Sequence, residues 1–202
     1  MANDETPVPT EAKKEERRGA PDATEGTLCL LMTAYQAGDA SAFETLYCQL
    51  APQVGGYLRA LCRDPARAED LLQEAFLQVH RSRHTYLPPR PVKPWVYAIA
   101  RNVFLMSRRA AMRRERRETV VGESFPDLPV PPEADSLADR ESVRGALARL
   151  PDDRRESLLL HHVWGLSFRE IGAILGVSEA AAKLRAHRGV LLLREILAGG
   201  GR

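Results

Sequence analysis

Arginine carries most of the chemistry available to this chain, and it stands beside aromatic rings. From Trp95 to Arg117 the sequence reads WVYAIARNVFLMSRRAAMRRERR. Wound as a helix, Tyr97, Arg101, Phe104 and Arg108 recur at i, i+4, i+7 and i+11 and share one side. Rings stack on unpaired bases and guanidinium groups pair with phosphate oxygens, so this pattern suits an opened nucleic-acid strand. Arg109, Arg113, Arg114, Arg116 and Arg117 extend the positive field. Trp95, Val96, Ile99, Val103 and Met106 share another side and are expected to pack inward. A solvated basic helix is the alternative, as is a membrane-surface helix, though no apolar face underlies the basic far end. The preceding loop, HTYLPPRPVKP, sets His84, Tyr86 and Arg90 among prolines, with His80, Arg81 and Arg83 before it. Such a rigid basic loop can cradle an extruded base; an irregular connection is the competing reading.

A second basic element lies near the C-terminus. Ser167–Leu175, Gly176-Val177 and Ser178–Arg188 follow helix-turn-helix grammar. Ile171, Ile174 and Leu175 supply an apolar face, Gly172 permits close approach, Gly176 allows the turn and Ser178 is a good N-cap. The second helix then presents Ser178, Glu179, Ala181, Lys183, Arg185, His187 and Arg188 to duplex DNA, unless the unit is a plain three-helix module. His161 and His162, just upstream, read as packing or surface residues rather than metal ligands.

A third constellation is not basic. In DLLQEAFLQVHR (70–81), Leu71, Leu72, Ala75, Phe76 and Val79 form an apolar arc. Asp70, Gln73, Glu74, Leu77 and Arg81 run along the opposite face at i, i+3, i+4, i+7 and i+11. A Leu inside an acid-and-amide stripe suits a docking surface for a basic partner helix; an ordinary surface helix with one stray Leu is the alternative.

Enzyme chemistry finds little support, since no Walker loop, HExxH, GxSxG or CxxC framework occurs and no metal or cofactor is expected. Cys29, Cys48 and Cys62 are widely spaced and read as reduced thiols near helix cores, with zinc ligation or a redox switch as lesser alternatives.

The elements that position these groups are all helical. Helices are expected near 27–37, from Asp39 or Ser41 past Leu61, from Asp64-Pro65 to about Arg83, and from Pro94 toward Arg117. Four more follow, near 136–150, 152–164, 167–175 and 178–197, broken at Gly165 and Gly176. The expected organisation is a disordered tail over 1–26, a helical domain over 27–118, an acidic Pro-rich linker over 119–135, a second helical domain over 136–197 and a tail over 198–202. The formal charge of +2 hides a segregation: eleven Lys or Arg against one acid over 81–117, then six acids against one Arg over 121–141. No apolar run approaches the roughly 18 residues of a membrane span, and no hydrophobic leader opens the chain, which fits a cytoplasmic protein.

Order and spacing together make the chain resemble the sigma-70 superfamily of bacterial RNA polymerase sigma factors, in the small two-domain extracytoplasmic-function group, over about 28–197. GDASAFETLY (38–47) looks like the family's opening region and AEDLLQEAFLQVHR (68–81) is similar to its most diagnostic segment. PWVYAIARNVF (94–104) looks like the part that melts and reads the minus-ten element, and LARLPDD…REIL (147–197) the part that reads minus-thirty-five. The resemblance implies an all-α protein with a region 2-like bundle and a region 4-like helix-turn-helix domain, working without catalysis. It implies that Asp70, Gln73, Glu74 and Leu77 bind core polymerase at the largest-subunit clamp coiled coil, with the beta flap as a further contact. It assigns Trp95, Tyr97, Arg101, Asn102, Arg108 and Arg109 to minus-ten DNA, and Ser178, Glu179, Ala181, Lys183, Arg185 and Arg188 to minus-thirty-five DNA. An anti-sigma factor partner is implied, and membrane insertion is not. Two departures stand out: Met106 replaces the family's usual Asp, and Ala180, Ala181 and Ala182 replace a Gly-Thr-Val type start of the recognition helix. A conventional DNA-binding regulator, with 28–117 as a sensor or dimerisation domain, is the competing class.

Overall fold

The computed structural model describes residues 23–62, 64–115 and 137–199. Eight α-helices occupy them: α1 Ala23–Gln36, α2 Ala40–Cys62, α3 Pro65–Ser82, α4 Val92–Glu115, α5 Leu137–Ala148, α6 Asp152–His162, α7 Phe168–Leu175 and α8 Glu179–Gly199. A 3-10 turn, Arg83–Thr85, follows α3, and no strand occurs among the described residues. The expected linker over 119–135 lies outside them, as do residues 1–22 of the expected tail.

Local chemistry sets the boundaries. The Asp39 carboxylate accepts from the Ser41 amide at 2.9 Å, the Ser41 hydroxyl at 2.7 Å and the Ala42 amide at 3.3 Å, so Asp39 rather than Ser41 starts α2. Those bonds, the Ser41 hydroxyl foremost, hold its carboxyl below the usual aspartate range. Asp64 caps α3 through Ala66 N at 3.0 Å and Arg67 N at 3.2 Å, with Pro65 in the first turn. One boundary differs from expectation: α1 begins at Ala23, so 23–26 are helical rather than part of an aperiodic tail. Glu25 explains the difference, because its carboxylate is tied to a distant helix described below.

Leu28 and Met32 of α1, Leu46, Leu50, Val54 and Leu58 of α2, Leu72 and Phe76 of α3 and Val96 and Ala100 of α4 are buried together. That core continues without a break into Leu160, Leu166, Ile171 and Leu175 of the second half. A smaller core joins Leu147, Leu150, Leu158 and Leu159 to Ala60 of α2. The two helical groups thus rest on each other, with α7 lying along α4.

Candidate nucleic-acid interface and docking stripe

On α3 the structure follows the sequence closely. Ala68, Leu71, Leu72, Ala75, Phe76 and Val79 are buried, while Asp70, Gln73, Glu74 and Leu77 face outward. Leu77 keeps 42% of its surface exposed, and Tyr47 of α2, also exposed, leans edge-on against Phe76 at 4.7 Å. Sequence reasoning did not single out Tyr47 as a site residue, because its place beside the stripe depends on how α2 packs against α3. The Glu74–Arg81 pair, 3.8 Å apart and open to water, contributes little and leaves the stripe available.

The loop before α4 is shaped by α1. Gln36 Nε2 donates to the carbonyls of Arg83 at 2.6 Å and Tyr86 at 2.9 Å. The Cys29 thiol lies 3.3 Å from the Arg90 carbonyl as donor and 3.2 Å from the Tyr86 hydroxyl as acceptor. The Tyr86 hydroxyl is also in contact with the Arg90 carbonyl. Glu25 Oε1 accepts from the amides of Val92 and Lys93, the latter at 3.1 Å, and so caps α4 from across the fold. Burial raises the Glu25 carboxyl above its usual range against the pull of those amides. Tyr86 is buried and stacks edge-on with half-buried Trp95 at 5.6 Å, so it is a post supporting the loop. Leu87 and Arg90 occupy the loop's exposed side with His84. None of Glu25, Cys29 or Gln36 was singled out from sequence as a site residue; their common face on α1, at i, i+4 and i+11, was the available signal.

On α4 the inward face is rotated from the expected one. Val92, Val96, Tyr97, Ala100, Val103 and Phe104 are buried, whereas Met106 is 67% exposed. Tyr97 is fully buried and cannot stack on a base in this arrangement, which corrects its assignment as a nucleic-acid contact. The reason is long-range packing from both halves: Tyr57 of α2 lies 5.2 Å from Tyr97 and 5.4 Å from Trp164, and Trp164 lies 6.1 Å from Tyr97. Arg101 is half-buried and ion-paired to Glu156 at 2.9 Å, the same carboxylate oxygen accepting from the Tyr57 hydroxyl at 2.7 Å. Burial pushes that hydroxyl well above its usual range, so it stays a donor. Asn102, Arg108 and Arg109 are exposed, Arg108 reaching Asp152 at 3.9 Å.

The helix-turn-helix forms as expected. Ser167 and Glu170 make a reciprocal capping box on α7, Gly176 adopts φ 70°, and Val177 N donates back to Gly172 O at 2.9 Å. A Cβ on Gly172 would stand 2.8 Å from Val177 O, so only glycine fits there. Ser178 Oγ accepts from Ala181 N at 3.2 Å, capping α8. Ser178, Glu179, Ala180, Lys183, His187 and Arg188 are exposed; Ala181 is half-buried and Ala182 fully buried. Arg185 is half-buried and pairs with Asp153 of α6 at 3.6 Å. Among the described residues no group of His, Cys, Asp or Glu is arranged to hold a metal.

Sigma-70 region 2 matches residues 46–114 and sigma-70 region 4 matches residues 140–193. RNA polymerase sigma factor CarQ of Myxococcus xanthus is 41% identical over 170 residues, spanning 82% of this chain and 95% of that protein. ECF RNA polymerase sigma factor SigM of Bacillus subtilis is 30% identical, over 69% of this chain and 85% of that protein. Among solved structures, sigma factor RpoE bound to the anti-sigma factor NepR, from Bartonella quintana, superposes with a TM-score of 0.68 at 25% identity, covering 77% of this chain and 96% of that one.

Proposed function

Because this chain belongs to the sigma-70 family of RNA polymerase sigma factors, in its extracytoplasmic-function group, we propose that its exposed faces divide the work of promoter-specific initiation among named residues. The protein is a sigma factor, a non-enzymatic specificity subunit; RNA synthesis belongs to the polymerase. Asp70, Gln73, Glu74 and Leu77 dock on the clamp coiled coil of the largest subunit, with the beta flap as a second contact. The observation that carries this is Leu77, left 42% exposed inside a stripe of acids and an amide while the opposite face of α3 is fully packed. Tyr47 adds an exposed ring beside it.

Trp95, Arg101, Asn102, Arg108, Arg109 and the loop ahead of α4 act on the minus-ten element. Extruding a base costs about a few kcal/mol, and loop and helix contacts offset it. Ser178, Glu179, Ala181, Lys183, Arg185 and Arg188 at the start of α8 read the minus-thirty-five element. Region 2 function extends over 27–118 and region 4 function over 136–197, joined by 119–135. Neither reader need bind DNA tightly alone, since mounting both on polymerase raises their effective concentration. No described helix is long and apolar enough to cross a membrane. The polymerase contact proposed above puts the work in the cytoplasm. An anti-sigma factor is a further partner, in keeping with RpoE, which this chain resembles and which was solved in complex with the anti-sigma factor NepR.

Run-off transcription with core polymerase tests the reading. Wild type directs initiation, whereas a Gln73→Ala, Glu74→Ala, Leu77→Ala variant loses core binding and transcript together. A wild-type chain that ignores core polymerase yet binds duplex operator unaided would instead be a conventional regulator.

A further inference from the structure

The packed side of α8 is made of its smallest residues. Ala182, Ala186 and Gly189 are buried where α8 meets α6 and α7, and a Cβ on Gly189 would stand 3.1 Å from Arg154 O. Wound at about 100° per residue, Leu184 falls on the side opposite those three. It keeps 47% of its surface exposed. Ala180, one turn before it, is exposed too, so the outward face of α8 begins with an apolar strip. Exposed Lys183, His187 and Arg188 border that strip.

A leucine can neither donate nor accept a hydrogen bond, so in a major groove it has one specific target. The C5-methyl of thymine is the apolar mark among the donors and acceptors that base edges present there. We propose that Ala180 and Leu184 form a methyl-reading strip that selects thymine within the minus-thirty-five element. The inference rests on the assignment of α8 to that element. Set against any other base, Leu184 would cover a donor or acceptor without pairing it, which adds a penalty to the lost methyl contact.

Placement along the helix agrees with this role. Leu184 lies about 7.5 Å from the first residue of α8, within the opening turns that a helix-turn-helix inserts between the strands. Leu191 shares the outward face, but stands two turns further on, past the inserted end. Charge favours DNA over a protein surface. Between Glu179 and Glu195 α8 carries no acid, and Lys183 and Arg188 flank the strip where phosphates line a groove. A protein partner seated on Leu184 would instead have to desolvate those cations at the centre of its interface, where charged residues are depleted.

The experiment uses holoenzyme assembled from core polymerase and the full chain. A duplex library randomised over the upstream promoter region is enriched by binding and sequenced. Each enriched thymine is then replaced by deoxyuridine, which removes the methyl and leaves every hydrogen-bonding atom in place. Wild type should lose about fourfold in affinity at one or two of these positions, the worth of one buried methyl group. The Leu184→Ala variant should bind thymine and uracil duplexes equally while pulling down core polymerase as wild type does. Leu184→Gln should move the preference at that position to adenine, whose N6 and N7 match an amide. The inference is overturned if no thymine is enriched, if wild type is indifferent to uracil throughout, or if either variant keeps the wild-type thymine preference. Loss of core binding by Leu184→Ala also overturns it, and assigns the leucine to a polymerase contact. A wild-type holoenzyme that enriches no upstream sequence at all overturns the minus-thirty-five reading itself, an outcome distinct from enrichment without methyl sensitivity.

Discussion

The two DNA-reading helices are held in place by opposite means. The turn that aims the start of α8 is made by residues close to it in sequence: the Gly172–Val177 bond, the left-handed Gly176 and the Ser178 cap, with a capping box at the start of α7. What aims the start of α4 comes from far along the chain, because Glu25, Cys29 and Gln36 of α1 bond to backbone groups between Arg83 and Lys93. A turn set by its own residues tolerates change elsewhere and can be exchanged as a unit. A loop set by another helix is only as ordered as that helix's docking, which gives the minus-ten side a conformation that depends on the integrity of the whole bundle.

The sharpest way to break the comparison is Gly172→Ala. Its methyl meets backbone at 2.8 Å, and the expected cost is about 1–3 kcal/mol, read by denaturant unfolding. Hydrogen exchange should quicken over α7 and α8 while the loop over 83–91 keeps wild-type protection; loss of protection in both would deny the local character of the turn.

Gln36→Ala is the converse change. It strips the donor from two carbonyls and should cost about 1–2 kcal/mol. Faster exchange is expected over Arg83–Arg90, with α7 and α8 unchanged, and promoter opening should fall while core binding persists. Unchanged exchange in the loop would mean that its prolines alone hold it.

The smallest effect is a slope rather than a loss. Burial raises the Glu25 carboxyl above its ordinary value of 4.5, so the unfolded chain gives up its proton first as pH rises. Stability therefore declines from the ordinary value up to the raised one, and below the ordinary value the term is flat. Glu25→Gln should remove this slope from the unfolding free energy measured between pH 4 and 7. A variant with the wild-type slope would place the titration elsewhere.

How much of this was legible beforehand follows the same division. The α3 stripe was readable because a helix with one apolar arc has one way to pack, and Leu77 then has no place in the core. Capping by Asp64 and the whole helix-turn-helix were readable because their bonds join residues a few positions apart. The face of α4 was not. Its 24 residues carry large apolar groups on two sides, and which side is buried depends on distant elements: α4 packs against α1, α2, α3 and α7, and Tyr97 meets Tyr57 and Trp164. The helical start at Ala23 was likewise invisible, since Glu25 acquires its role only from amides 67 and 68 positions away.

The sequence by itself determined the eight helices of the described residues, the caps made by near neighbours, an exposed acid-and-amide stripe and a self-contained turn, because these depend on periodicity and on bonds between residues close along the chain. Tertiary structure alone decided that Arg101, Arg108 and Arg185 pair with carboxylates of α6. Charge pairing between α4, α6 and α8 depends on where the halves come to rest, and spacing along a chain does not encode distance through space.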